Sequence, residues 1–127
     1  MPKKILVVDD EPAADLLMRQ IFRKEIRKKE YELLFAEDGF SALKQIEASP
    51  DVDVVLTDIN MPGMDGITLL SHINERYPTI KVVMVSAYND REKVEKARGY
   101  GAFEFINKPI KVQDMKTIIQ NALQADA

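Results

Sequence analysis

The chain has 127 residues, enough for one domain with one sizeable core, and 46% of them are hydrophobic, which argues against a disordered chain. The net charge of -3 gives no reason to expect direct nucleic-acid binding, and no apolar run approaches the roughly 18 to 20 residues that span a membrane. The absence of cysteine excludes disulfides and thiolate metal sites and suits a reducing compartment, so we expect a cytoplasmic protein.

Apolar runs of strand length alternate along the chain with segments of helical period. Residues 5–8 are apolar without alternation, which predicts a strand buried on both faces, and an i, i+3, i+4 apolar stripe predicts an amphipathic helix over 14–29. The later elements are a strand over 31–36, a helix over 41–48, a strand over 52–57, a helix ending before Pro78, a strand over 80–85, a polar helix over 90–100, a strand over 103–106 and a helix over 111–123. Five strand–helix repeats predict a single α/β domain over residues 1–127, with a parallel sheet covered on both faces.

Polar side chains follow four of the predicted strands. Asp9 and Asp10 come after the first strand, Asp58 after the third, Ser86 after the fourth and Lys108 after the fifth. Ligands of an open parallel sheet bind beyond the carboxyl ends of the strands, so we expect these side chains to meet at one edge.

This set of side chains has the chemistry of a phosphoryl-transfer site. Carboxylates that lie close together raise one another's pKa, and a hard cation such as Mg²⁺ removes that cost. A carboxylate beside the metal can accept a phosphoryl group, whose charge a hydroxyl and an ammonium can stabilise. Taken singly, each acidic residue or serine could be a helix cap or turn residue, and the lysine could be solvated. Their common position favours the functional interpretation.

Four stretches of the sequence contain these strand ends: "ILVVDDEP", "VLTDINMPGMDG", "VVMVSAY" and "AFEFINKPI". In their order and spacing they resemble the receiver domains of bacterial two-component response regulators, and the resemblance covers nearly the whole chain. It implies a flavodoxin-like (βα)5 fold with strand order 2-1-3-4-5. It also implies a signalling receiver that promotes only its own phosphoryl transfer and dephosphorylation, and is not otherwise an enzyme.

The resemblance implies particular partners. A sensor histidine kinase or a histidine phosphotransfer protein would supply the phosphoryl group. The signal would leave through the face made by the fourth predicted helix, the fifth strand and the fifth predicted helix, towards a downstream effector protein or an attached effector domain, and a phosphorylation-linked homodimer is a further expectation. The chain is either a stand-alone regulator or the N-terminal part of a longer one.

The resemblance assigns the phosphoacceptor role to Asp58. It implies Mg²⁺ as cofactor, bound by Asp9, Asp10, Asp58 and the backbone carbonyl of Asn60. Pro62 and Gly66 match the family's loop pattern, and a stiff loop would fix Asp58 and the Asn60 carbonyl around the metal.

The resemblance also implies switch and tuning residues. Ser86 matches the switch hydroxyl, and Lys108 matches a lysine whose bond to Pro109 is cis in the family. Phe105 stands at the aromatic switch position, without the hydroxyl of a Tyr, so a switch there would depend on packing alone. Tyr88 stands, like Asn60, at a position that tunes phosphoryl lifetime, and its bulk would shield the phosphoryl group from water.

Two other functions remain open at this stage. An aspartyl phosphatase also places an Asp after a parallel strand, but it typically needs a second Asp two residues later, where this chain has Asn60. A degenerate receiver that signals without phosphate would have lost an acidic or lysine position, and none is lost. His72 is interpreted as a surface or groove residue, and the basic run over 23–30 as a solvated helix end.

Overall fold

The computed structural model describes residues 2–87 and 91–125. The elements in chain order are β1 (Lys3–Val8), α1 (Pro12–Ile21), α2 (Arg23–Arg27), β2 (Tyr31–Ala36), α3 (Gly39–Ala48), β3 (Val54–Asp58), α4 (Gly66–Arg76), β4 (Lys81–Ser86), α5 (Arg91–Gly99), β5 (Glu104–Asn107) and α6 (Val112–Gln124). The five strands form one parallel sheet in the order β2-β1-β3-β4-β5, which confirms the predicted fold class and strand order.

One predicted helix is divided in two. The helix expected over 14–29 consists of α1, which begins at Pro12, and the short α2, so the predicted fourth and fifth helices are α5 and α6. The division is at Phe22, whose φ of -103° and ψ of 19° leave the helical region although its N–H still donates to the Met18 carbonyl. The Phe22 side chain is buried and meets the ring of Tyr31 edge-on, at 5.5 Å between centroids. No Pro or Gly marks the break, so the sequence pattern did not predict it.

The core consists of two apolar layers, one on each face of the sheet. Leu6 and Val8 of β1 belong to the layer under α3, α4 and α5, whereas Ile5 and Val7 belong to the layer under α1, α2 and α6. Successive side chains of a strand point to opposite faces, so a strand between two helical layers must be apolar at every position. This explains the apolar run without alternation at residues 5–8.

Because the strands are parallel, their carboxyl ends lie at a common edge of the sheet. All five residues of β3 are buried, including the last one, Asp58. In the described ranges no helix is both long and apolar enough to cross a membrane.

Candidate functional site

The predicted site residues lie at the carboxyl edge of the sheet. Asp58 ends β3 and Ser86 ends β4, while Asp9 and Lys108 each follow directly after the last residue of β1 and β5. The parallel pairing sets Asp58 opposite Val85, next to Ser86. The sheet therefore brings to one edge side chains that are up to 99 positions apart in the chain, Asp9 and Lys108 being the extremes.

Both carboxylate oxygens of Asp58 are engaged. The Lys108 ammonium lies 2.7 Å from Oδ2, and the backbone N–H of Asn60 donates to Oδ1 over 3.0 Å. Asp58 is only 8% exposed, so the lysine compensates a charge that would otherwise be costly to bury. The hydrogen bond to Asp58 raises the pKa of Lys108, and the negative charges around it add to that effect. Lys108 is therefore a positively charged member of the site and not only a solvated surface residue.

Asp9 carries the clearest electrostatic cost at this edge. Its burial raises its pKa, and the charges of Asp58 and Asp10 raise it further, against the lowering effects of a hydrogen bond from the Glu11 N–H and of the Lys108 charge. Burial is the larger cause, and the charges of the neighbouring carboxylates add to it. Asp10, by contrast, is exposed.

The side-chain caps of α3 and α4 are provided by other aspartates. Asp38 accepts from the Ser41 N–H at the start of α3, and Asp65 accepts from the Thr68 N–H at the start of α4. The N-cap of α1 is Glu11, whose side chain makes no capping hydrogen bond. The structural alternative of a helix cap therefore does not explain Asp58.

The donor set has the chemistry that Mg²⁺ prefers. All the expected ligand atoms are oxygens, and Mg²⁺ commonly keeps several waters, so it does not need a complete cage of side chains. Over residues 2–87 and 91–125, no group of three or more His, Cys, Asp or Glu side chains is already arranged to hold a metal ion. Burial, together with the charges of Asp58 and Asp10, raises the pKa of Asp9, and a divalent cation would stabilise its ionised form, so the residues fit the cofactor.

The Ser86 hydroxyl is engaged with a residue that sequence reasoning missed. Ser86 is fully buried, and its Oγ donates to the side-chain oxygen of Asn107 over 3.1 Å. Asn107 ends β5 and is paired with Ser86 in the sheet register. The sequence signal for Asn107 was its position directly before Lys108, which becomes informative only once the two strands are known to be neighbours.

A second missed residue is Lys93 on α5. Its ammonium donates to the side-chain oxygen of Asn60, in the loop that follows Asp58. This contact joins α5 directly to the loop of the site. The spacing of 33 residues between the two partners gave no sequence signal.

The loop after β3 depends on a glycine. A Cβ at Gly66 would lie 2.2 Å from the backbone oxygen of Asp58 and 2.9 Å from the Ile59 Cα. The Gly66 N–H donates to the Ile59 carbonyl over 2.8 Å, and Gly63 adopts a positive φ of 76°. The glycines of "MPGMDG" are therefore needed for close approach and for backbone conformation, and they fold the loop tightly against the end of β3.

The remaining predicted residues differ in what the structure describes. The Lys108–Pro109 peptide bond is cis, as expected. Phe105 is half-buried on β5, with the Arg98 guanidinium of α5 5.0 Å from its ring centroid. Tyr88 lies outside the described residues, so its shielding role stays a prediction. His72 is exposed on α4, in agreement with its interpretation as a surface residue.

The basic run over 23–30 is not uniformly solvated. Most of its charged side chains are exposed, but Glu25 is only 18% exposed and its carboxylate lies 3.3 Å from the ammonium of Lys116 on α6. This ion pair ties α2 to α6, on the face of the sheet away from α4.

Comparison with known proteins gives consistent matches over nearly the whole chain. A family model described as the response regulator receiver domain matches residues 5–120. The chemotaxis protein CheY of Treponema pallidum is 40% identical over 94% of this chain and 79% of that protein, and sporulation initiation phosphotransferase F of Bacillus subtilis is 30% identical over 97% of this chain and 95% of that protein. The solved receiver domain of NtrX from Brucella abortus superposes with a TM-score of 0.86 at 34% identity, over 96% of this chain and 99% of that chain. The chain spans only 24% and 31% of the length of two other curated relatives that it matches.

Proposed function

This chain belongs to the family of response regulator receiver domains, and on that premise we propose that it is a phosphorylation-dependent switch whose phosphoacceptor is Asp58. Members of the family are signalling domains that accept a phosphoryl group and generally bind Mg²⁺ where they do so. The observation that carries the assignment is the Asp58 carboxylate, which ends β3 in a nearly buried position and meets the Lys108 ammonium at 2.7 Å.

The proposed reaction is the transfer of a phosphoryl group from a phosphohistidine to Asp58. A carboxylate oxygen attacks the phosphorus, the phosphorus–nitrogen bond breaks, and the electron pair of that bond stays on the imidazole of the donor. An acyl phosphate forms on Asp58. The Lys108 ammonium, which already contacts the Asp58 carboxylate, can stabilise the negative charge on the phosphoryl oxygens.

The surrounding residues have supporting roles in this proposal. Asp9, Asp10, Asp58 and the Asn60 carbonyl would hold Mg²⁺, which would supply positive charge to the phosphoryl oxygens. The Asn60 N–H holds one oxygen of Asp58 and so limits its rotation. The Ser86 hydroxyl donates to a phosphoryl oxygen once it leaves Asn107.

The proposed partners follow from the same site. The phosphoryl donor is a sensor histidine kinase or a histidine phosphotransfer protein. We define the output face as α5, β5 and α6, and we assign to it the contact with an effector protein, an attached effector domain or a second copy of the chain. Two side-chain contacts support this face. Lys93 joins α5 to Asn60 in the loop after β3, and Arg98 joins α5 to Phe105 on β5.

Mass spectrometry after incubation with acetyl phosphate and Mg²⁺ tests the assignment. The unmodified chain should gain one phosphoryl group, Asp58→Ala should gain none, and chelation of the metal should prevent the gain. Asp114→Ala is the matched control, because Asp114 is an exposed aspartate in the first turn of α6, outside the site, and this variant should be phosphorylated normally. A phosphoryl group on Asp58→Ala, or full modification in the presence of chelator, would contradict the proposal.

A further inference from the structure

The Ser86 hydroxyl has its one proton committed to Asn107. Ser86 is 0% exposed, and its Oγ donates to the side-chain oxygen of Asn107, an exposed residue, over 3.1 Å. A serine hydroxyl carries one donor hydrogen. It therefore cannot donate to Asn107 and to a phosphoryl oxygen on Asp58 at the same time.

Asn107 occupies a position that couples two parts of the site. It is the residue paired with Ser86 between β4 and β5, and the next residue along the chain is Lys108, whose ammonium contacts Asp58. Consecutive residues at the end of β5 thus hold the hydroxyl and the phosphoacceptor. Release of Ser86 changes the contacts of the same short segment that carries the lysine.

We propose that Asn107 is a positioning residue that holds Ser86 in the unphosphorylated arrangement. Its hydrogen bond stabilises that arrangement relative to the phosphorylated one. This inference rests on the proposed function, because it assumes that Ser86 turns to a phosphoryl group on Asp58. On switching, Ser86 exchanges its hydrogen bond to Asn107 for one to the phosphoryl group. The free energy of the bond to Asn107 is therefore lost when the bond to the phosphoryl group forms. Removal of the acceptor leaves Ser86 unsatisfied in the unphosphorylated state and favours the phosphorylated one.

The inference is tested by the affinity for beryllofluoride, a stable mimic of a phosphoryl group on a carboxylate. Titration of the unmodified chain and of Asn107→Leu, both with Mg²⁺, is followed by calorimetry and by amide NMR spectra. Asn107→Leu should bind about 2- to 12-fold more tightly, which is the equilibrium equivalent of one ordinary hydrogen bond. Asn121→Leu makes the same substitution at an exposed position of α6 and should leave the affinity unchanged.

A double-mutant cycle separates positioning from a general effect on the fold. In the Ser86→Ala background there is no hydroxyl to hold, so Asn107→Leu should no longer raise the affinity. Thermal unfolding identifies any variant that fails to fold, and Asn107→Ala, which removes the same acceptor with a smaller side chain, replaces Asn107→Leu in that case.

The outcomes separate this inference from the function on which it rests. If the unmodified chain binds no beryllofluoride in the presence of Mg²⁺, both are overturned. If the unmodified chain binds it and Asn107→Leu binds it no more tightly, only the role of Asn107 is overturned. The same holds if the gain persists without the Ser86 hydroxyl or is reproduced by Asn121→Leu.

Discussion

The negative charges of the acidic residues at this edge are compensated to different degrees. Lys108 reaches Asp58 directly, whereas Asp9 keeps a raised pKa because it is partly buried and faces the negative charges of Asp58 and Asp10. The charge of Asp58 is therefore compensated within the protein, whereas burial and acidic neighbours disfavour the charge of Asp9. A bound cation would therefore stabilise the ionised form of Asp9.

Asp9→Asn should stabilise the metal-free chain at neutral pH and weaken its affinity for Mg²⁺. The pKa of Asp9 is raised above its usual 3.8, so its ionisation costs folding free energy that appears as the pH rises through the acidic range. Asparagine removes that charge and keeps an oxygen to accept from the Glu11 N–H. The measurement is urea unfolding at several pH values, with and without Mg²⁺.

Asp10→Asn is the comparison for this prediction, because Asp10 is exposed and should give a smaller stabilisation. The advantage of Asp9→Asn should shrink below a pH of about 3.8, where the aspartate is protonated in both states. A metal-free Asp9→Asn chain that is less stable than the unmodified chain at neutral pH would refute the assigned cost of ionising Asp9.

Gly66→Ala should destabilise the fold by about 1 to 3 kcal/mol, as overpacking usually does. The new Cβ would lie 2.2 Å from a backbone oxygen of Asp58, and backbone atoms cannot move aside as the end of a flexible side chain can. Gly99→Ala is the matched control, since a Cβ there meets no described atom within 4 Å and alanine favours the helix. Urea unfolding of both variants measures the difference, and equal stabilities would contradict the close approach.

The sequence was sufficient to locate site residues that lie at the end of a predicted strand. Asp58 and Ser86 could be predicted because each directly ends an apolar run, and the carboxyl edge of a parallel sheet collects such residues. Asn107 and Lys93 could not, because their contacts depend on the register between β4 and β5 and on the reach of one lysine from α5. Pairings of that kind exist only after the elements have assembled.

At the scale of the elements, the helices differ strongly in how they are anchored. Five residues of α4 are buried, whereas Ala97 is the buried residue of α5 within the described part of the chain. The strands and the longer helices could be predicted from apolar period, and their ends moved by only a few residues. The division at Phe22 could not, because the i, i+3, i+4 stripe continues through it and the hydrogen bonds do so as well.

Amide hydrogen exchange should be faster in α5 than in α4. Local opening costs less where few apolar side chains have to leave the core, and Ala97 is the buried residue of α5 within the described part of the chain. Exchange measured by mass spectrometry on peptides from 66–76 and 91–99 tests this directly, with each rate corrected for the intrinsic rate of its sequence. Equal protection of the two helices would show that α5 has anchors beyond those described.

At the scale of the whole molecule, the strand order separates the proposed phosphoacceptor from the proposed output face. Asp58 lies on the central β3, and β4, which carries Ser86, stands between it and β5 at the sheet edge. Two side-chain hydrogen bonds connect the neighbourhood of Asp58 to this face. Ser86 bonds Asn107 on β5, and Asn60 bonds Lys93 on α5. Both end on the output face, so a change at Asp58 has two physical connections to it.

Phosphorylation should therefore change the output face more than α1, α2 and α3. The phosphoryl group can shift a two-state equilibrium only by its differential interaction with the two states, and a shift from 1:99 to 99:1 needs about 5.5 kcal/mol. Hydrogen exchange with and without beryllofluoride and Mg²⁺ should show altered protection within 91–124. Asp58→Ala under the same conditions is the control, because it should show no change. Protection changes restricted to residues 12–48 would rule out this output face, since the contacts of Ser86 and Asn60 would then carry no signal to α5 and β5.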